Sequence, residues 1–181
     1  MQPKVLNNFL DKQTSLNLNN YLKSISIRGP KNLLNVYLSE YGISEDADAF
    51  YNNLIIKIIK DINSVFEIED IILDRAMYQI LESGDEIGWH TDATGKTGYQ
   101  GVDDYTEDYY SALLYLTDDY GGGEIVFYND YSGTKDNSES YKPDAGTLIY
   151  FNGDKDTPHS VNEIMSGERA NIILFYKKEV K

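Results

Sequence analysis

Two histidines occur in the 181-residue chain, so any chemistry that needs imidazole must use His90, His159 or both. His90 stands in the run His90-Thr91-Asp92. In an extended strand, residues i and i+2 project from the same face. His90 and Asp92 would then offer one imidazole nitrogen and one carboxylate oxygen to a single metal ion. A third ligand must come from elsewhere in the chain, and His159 is the imidazole that remains.

Two imidazoles and one carboxylate on one face make the facial triad that suits non-haem Fe(II), with positions left open for substrate and O2. A second feature sharpens this. Arg169 follows His159 beyond a turn at Gly167 and heads the apolar run IILFY. An antiparallel hairpin of that size returns Arg169 beside the His159 strand. A cation inside a barrel is costly unless an anion meets it. Guanidinium binds carboxylate through two parallel hydrogen bonds. A dicarboxylate that chelates iron at one end would therefore reach Arg169 with the other. The simpler readings are a surface pair for His90 and Asp92, a turn histidine at His159, and an exposed salt bridge from Arg169 to Glu168 or Glu163.

Four segments then carry a resemblance: GWHTD (88–92), YSALLYLTDDYGGGEIVF (110–127), KPDAGTLIYF (142–151) and HSVNEIMSGER (159–169). In this order and spacing the chain resembles the Fe(II)/2-oxoglutarate dioxygenases, and within them the prolyl 4-hydroxylase-like branch. The resemblance covers residues 71–177, and VLNNFLD near the start is similar to that branch's first strand. It implies an α+β fold built on a double-stranded β-helix (jelly-roll) core, with N-terminal helices packed on one sheet. It implies His90, Asp92 and His159 as iron ligands and Arg169 as partner of the 2-oxoglutarate C5 carboxylate, joined by Tyr115. The implied reaction hydroxylates a C–H bond, foremost of a prolyl residue in a peptide or protein. It consumes O2 and converts 2-oxoglutarate to succinate, with ascorbate as an accessory reductant. Two positions depart from the pattern. Leu81 stands where the branch carries a tyrosine near the cosubstrate, with Tyr78 as the nearby substitute or a core residue. Asn171 stands where related branches carry serine. Hydroxylation of a free amino acid or small metabolite remains an alternative, as does a non-catalytic, cupin-like metal-binding module.

Composition narrows the field. With no cysteine, disulfides, thiolate zinc sites and iron–sulfur clusters are excluded. A net charge of −14 argues against nucleic-acid binding, which needs clustered Lys and Arg. No apolar run is long enough for a membrane helix, and the N-terminal residues lack the pattern of a secretory leader, so a cytoplasmic protein is expected. The length suits one domain, with mainly helical support over 1–69 and the core over 70–181.

The elements that must position the site follow from periodicity. Residues 4–10 read as a strand and 14–25 as a helix with Leu16, Leu22 and Ile25 on its apolar side. Gly29-Pro30 is a break. Residues 45–64 read as a helix whose face runs through Phe50, Leu54, Ile58, Ile62 and Val65, with an acidic start at Glu45, Asp46 and Asp48. Strands are expected over 71–81, 110–117, 123–128, 146–151, 159–164 and 169–177. The long connections 93–109 and 129–144 have the composition of binding loops, and 93–109 is expected to close over substrate.

Overall fold

A computed structural model describes residues 3–25, 49–92, 109–129, 138–153 and 157–178, together with the backbone of 36–38. The elements are β1 (Lys4–Leu6), α1 (Lys12–Ile25), β2 (Val36–Leu38), α2 (Ala49–Val65), β3 (Ile71–Glu82) and β4 (Ile87–His90). They continue with β5 (Tyr109–Tyr115), β6 (Gly121–Gly122), β7 (Ile125–Tyr128), β8 (Ser138–Tyr141), β9 (Leu148–Asn152), β10 (His159–Val161), β11 (Ile164–Ser166) and β12 (Glu168–Lys178). One sheet has the order β1-β9-β5-β12-β3-β2 and the second β4-β10-β7-β8, with β11 and β6 forming a small ladder. Every pairing is antiparallel. This is the jelly-roll core expected, with both helices set against the larger sheet.

Strand alternation sorts the side chains into two layers. Even-numbered residues of β12 and β5 (Ala170, Ile172, Leu174 and Tyr176; Tyr110, Ala112 and Leu114) join Leu148, Tyr150, Tyr78 and Ile80 on the face toward the helices. Leu18 and Leu22 of α1 and Ile55, Ile58 and Ile62 of α2 cover that face. Phe66, just past α2, sits 5.3–5.7 Å by ring centroid from Tyr110, Tyr150 and Tyr176. Part of the tyrosine excess is thus packing for the helix layer. The opposite residues (Leu113, Tyr115, Ile149, Phe151, Ile173 and Phe175) meet Ile125 and Phe127 of the second sheet. The space between the sheets is where the site lies.

Several expectations shift at the edges. The first strand stops at Leu6 because Asn8 turns the chain in the left-handed region, at φ 55°. Helix α1 starts at Lys12, where Asp11 caps it by accepting from the Thr14 amide at 2.9 Å. Its buried centre is Leu18 and Leu22, while Ile25 is exposed. On α2, Phe50 is 67% exposed and Ile55 is buried instead. Each i+4 step overshoots a full turn by about 40°, so the expected stripe drifts off the packed face. Residues 159–164 divide into β10 and β11, and β8 emerges within 129–144, paired with β7. The Gly29-Pro30 break, the acidic start at 45–48 and most of the two long connections (93–108 and 130–137) lie outside the described residues.

Candidate metal centre and the buried arginine

β4 and β10 are antiparallel neighbours with His90 and His159 as direct Cα partners. That register puts both imidazoles on one face, with ring centroids 4.3 Å apart. Asp92 lies beyond the end of β4 rather than within an extended strand, so the simple i, i+2 argument does not place it. A hydrogen bond does: Ser111 Oγ on β5 donates to Asp92 Oδ2 at 2.6 Å. Gly153 makes room for this approach, since a Cβ there would sit 2.5 Å from Ser111 Oγ and 3.3 Å from Asp92 Cβ. Asp92 Oδ1 is then left facing His90 Nε2 at 3.6 Å and His159 Nε2 at 3.7 Å. All three donor atoms lie within 4.8 Å of one another.

Both rings are set for coordination through Nε2. His90 Nδ1–H donates to the Gly88 carbonyl at 2.8 Å and His159 Nδ1–H to the Thr157 carbonyl at 3.1 Å. Committing Nδ1 as donor leaves the Nε2 lone pair for a metal. Burial holds His159 below the usual imidazole value, which favours the neutral ligand form. For His90, burial pulls the same way, but Asp92 and the Gly88 carbonyl outweigh it and the net shift is upward. Burial pushes Asp92 up, yet the two histidines and Ser111 more than offset it and its carboxyl stays ionised. The rings of Phe127 and Phe151 lie 5.6 and 5.0 Å from His159 and keep its inner side dry.

Arg169 is fully buried, which removes the exposed salt-bridge reading. Glu168 pairs instead with Lys23 at 2.5 Å. The guanidinium donates to Tyr115 Oη at 2.7 Å and to Asn171 Oδ1 at 3.2 Å, and lies 4.8 Å from the Tyr115 ring centroid. Among the described residues no carboxylate comes within ion-pair distance of it. Its Nε and the Asn171 amide nitrogen are buried without a hydrogen-bond partner. The structure thus joins Arg169 with Tyr115 on the same inner face, close enough to His159 for its charge to lower that imidazole's pKa.

Tyr78 is not part of this group. It lies on the helix side of β3, and its hydroxyl donates to Asn19 Oδ1 of α1 at 2.7 Å. That position faces away from the inter-sheet space, which argues against the expected cosubstrate contact. Replacing Tyr78 with Phe strands the Asn19 oxygen and is expected to cost about 1–2 kcal/mol in denaturant unfolding. Affinity for a bound dicarboxylate should stay unchanged.

The residues fit a ferrous ion with a dicarboxylate cosubstrate. The donor set is compact with both Nε2 atoms free of hydrogen bonds to carbonyls, and a buried cation with an orphaned Nε waits on the same face. Comparison with known proteins agrees. Residues 76–177 match the 2OG-Fe(II) oxygenase superfamily, and the chain belongs to it. The family is one of oxygenases that use Fe(II) and 2-oxoglutarate. Prolyl 3-hydroxylase 2 of Mus musculus is 38% identical over 72 residues, 40% of this chain. The chain spans only about 10% of that relative's length. A prolyl-4-hydroxylase of Pseudomonas putida superposes with a TM-score of 0.69 at 15% identity, covering 98% of this chain and 93% of that one. The prolyl hydroxylase of Trichoplax adhaerens, in complex with a hypoxia inducible factor oxygen degradation domain peptide fragment, gives 0.67 at 18% identity, covering 97% and 83%. At such identities the likeness is one of fold. Among the described residues no helix is long and apolar enough to cross a membrane.

Sequence reasoning did not single out Ser111. The signal was available: it is a hydroxyl at an inward position of an otherwise apolar strand, YYSALLY.

Proposed function

We propose that His90, Asp92 and His159 hold the Fe(II), that Arg169 with Tyr115 holds the C5 carboxylate of 2-oxoglutarate, and that the enzyme hydroxylates a prolyl residue in a peptide or protein. The observation that carries the cosubstrate assignment is the fully buried guanidinium with no anionic partner among the described residues. Such a charge is tolerable when a ligand carboxylate completes it. Prolyl hydroxylases among both the relatives and the structural neighbours support the substrate class.

When bound, iron and 2-oxoglutarate supply oxidative decarboxylation coupled to oxygen insertion into an unactivated C–H bond. The chain's own work is orientation and shielding. The carbonyls of Gly88 and Thr157 fix the imidazole tautomers. Ser111 fixes the carboxylate. Arg169, hydrogen-bonded to Tyr115, would hold the distal carboxylate. Phe127 and Phe151 exclude water from behind His159.

Purified enzyme supplied with Fe(II), ascorbate, O2 and 2-oxoglutarate is expected to form succinate and to add one oxygen atom to a proline-containing peptide, read by intact mass. Addition to free proline or another amino acid, with every peptide untouched, would replace the peptide reading with the small-metabolite one.

A further inference from the structure

Tyr120 is the buried polar side chain beside Arg169 that the proposed cosubstrate contacts leave unused. It follows β5 and immediately precedes the glycines of β6. Its residue surface is 4% exposed, and its hydroxyl is buried without a hydrogen-bond partner of good geometry. Two features bring it to the arginine. Gly167 has φ 75°, and a Cβ there would lie 2.4 Å from the Asp119 carbonyl and 2.9 Å from Tyr120 Cα. The turn entering Arg169 therefore exists in its present form because glycine lets residues 119–120 press against it. Tyr120 also shares a small buried cluster with Leu81, Val161 and Ile164, and Leu81 is the direct Cα partner of Arg169 across β3 and β12. Burial raises the phenol pKa, while the guanidinium works in the opposite sense, as expected for two groups facing each other.

A phenol next to a guanidinium keeps its own proton to give, because guanidinium accepts nothing. Tyr115 is in the same position, since it accepts from Arg169 and retains its O–H. With the Asn171 amide nitrogen also unpartnered, the pocket around Arg169 is rich in donors. What satisfies such a cluster is a group with acceptors only, which is a carboxylate. We infer that Tyr120 donates its hydroxyl to the distal carboxylate of 2-oxoglutarate beside Arg169. The connection from β5 to β6 thereby supplies the tyrosine hydroxyl that Leu81 lacks on β3. This rests on the assignment of Arg169 to that carboxylate.

The test is calorimetric binding of 2-oxoglutarate to the Mn(II)-loaded full chain, with 2-oxobutanoate, which lacks the distal carboxylate, as the second probe. Tyr120→Phe is expected to raise the Kd for 2-oxoglutarate about tenfold to a hundredfold, as loss of a hydrogen bond to a charged group does. Its Kd for 2-oxobutanoate and for Mn(II) should match wild type, and Tyr78→Phe should bind both acids normally. Equal 2-oxoglutarate affinity in Tyr120→Phe and wild type would overturn the inference, as would equal weakening toward both acids, which marks a structural role. If Arg169→Met also binds 2-oxoglutarate as wild type does, the underlying assignment fails, and that outcome is read separately from the Tyr120 comparison.

Discussion

Arg169→Met is expected to raise the KM for 2-oxoglutarate by about a hundredfold or more while leaving iron affinity unchanged. The methionine keeps the volume of the arginine stem, so the inter-sheet space stays filled. What disappears is the charge and its fork of donors. Truncating one partner of a buried, hydrogen-bonded charge pair costs roughly 2–5 kcal/mol of binding, which sets the size of the effect. The same change should do little harm to the protein without cosubstrate. There the guanidinium is fully buried and, among the described residues, hydrogen-bonds to neutral oxygens of Tyr115 and Asn171, so its removal relieves a desolvated charge as it forfeits two hydrogen bonds. The apo protein should unfold within about 2 kcal/mol of wild type. The stabilisation that 2-oxoglutarate confers on the wild type in a thermal scan should vanish. An unaltered KM would remove Arg169 from cosubstrate binding.

Asp92→Asn should abolish turnover to below about a thousandth of wild type, with the fold intact. The two residues have the same shape, and the Ser111 hydroxyl needs an acceptor. The amide oxygen of the variant takes that hydrogen bond. Its NH2 group is then turned toward His90 Nε2 and His159 Nε2, where the wild type has a bare carboxylate oxygen. Two donors pointed at the imidazole lone pairs occupy the space a cation needs. Metal affinity, measured with Mn(II) or Co(II), should fall further than the roughly 10–100-fold that loss of a mere outer-sphere partner costs. A metal affinity in Asp92→Asn near that of the wild type would reject Asp92 as a ligand. Acid should mimic part of this effect. Each imidazole binds metal only when neutral, so protons compete with the ion as pH falls. His159 resists protonation because it is buried, whereas His90 is shifted above the ordinary 6.5 and takes the first proton. Metal binding is therefore expected to weaken as pH drops through the His90 titration, which lies above the ordinary imidazole value, and to be full on the alkaline side.

The three side chains proposed as ligands could be picked out from one dimension because the supply is so small. With two histidines and no cysteine, a metal site had few ways to be assembled. The strands of the core were legible too, since β3, β5, β9 and β12 are rich in the β-branched and aromatic residues that a pleated, buried surface favours. Helix faces were less so: the position of Phe50 depends on how α2 rolls on the sheet, which a strict i+4 count does not track.

Which tyrosine meets the arginine was a matter for the assembled molecule. Tyr78, Tyr115 and Tyr120 are chemically alike, and the sequence alone pointed to Tyr115 and Tyr78. Strand parity turns Tyr78 toward Asn19 and Tyr115 toward Arg169, and the close approach at Gly167 brings Tyr120 to the same end of the pocket. In the same way, Asp92 is held by a serine from another strand rather than by its own strand's alternation. Residue type states which groups are able to bind iron or a carboxylate. Cross-strand register and loop packing decide which of them share a cavity, and those are set by contacts between segments remote along the chain, which local patterns do not encode.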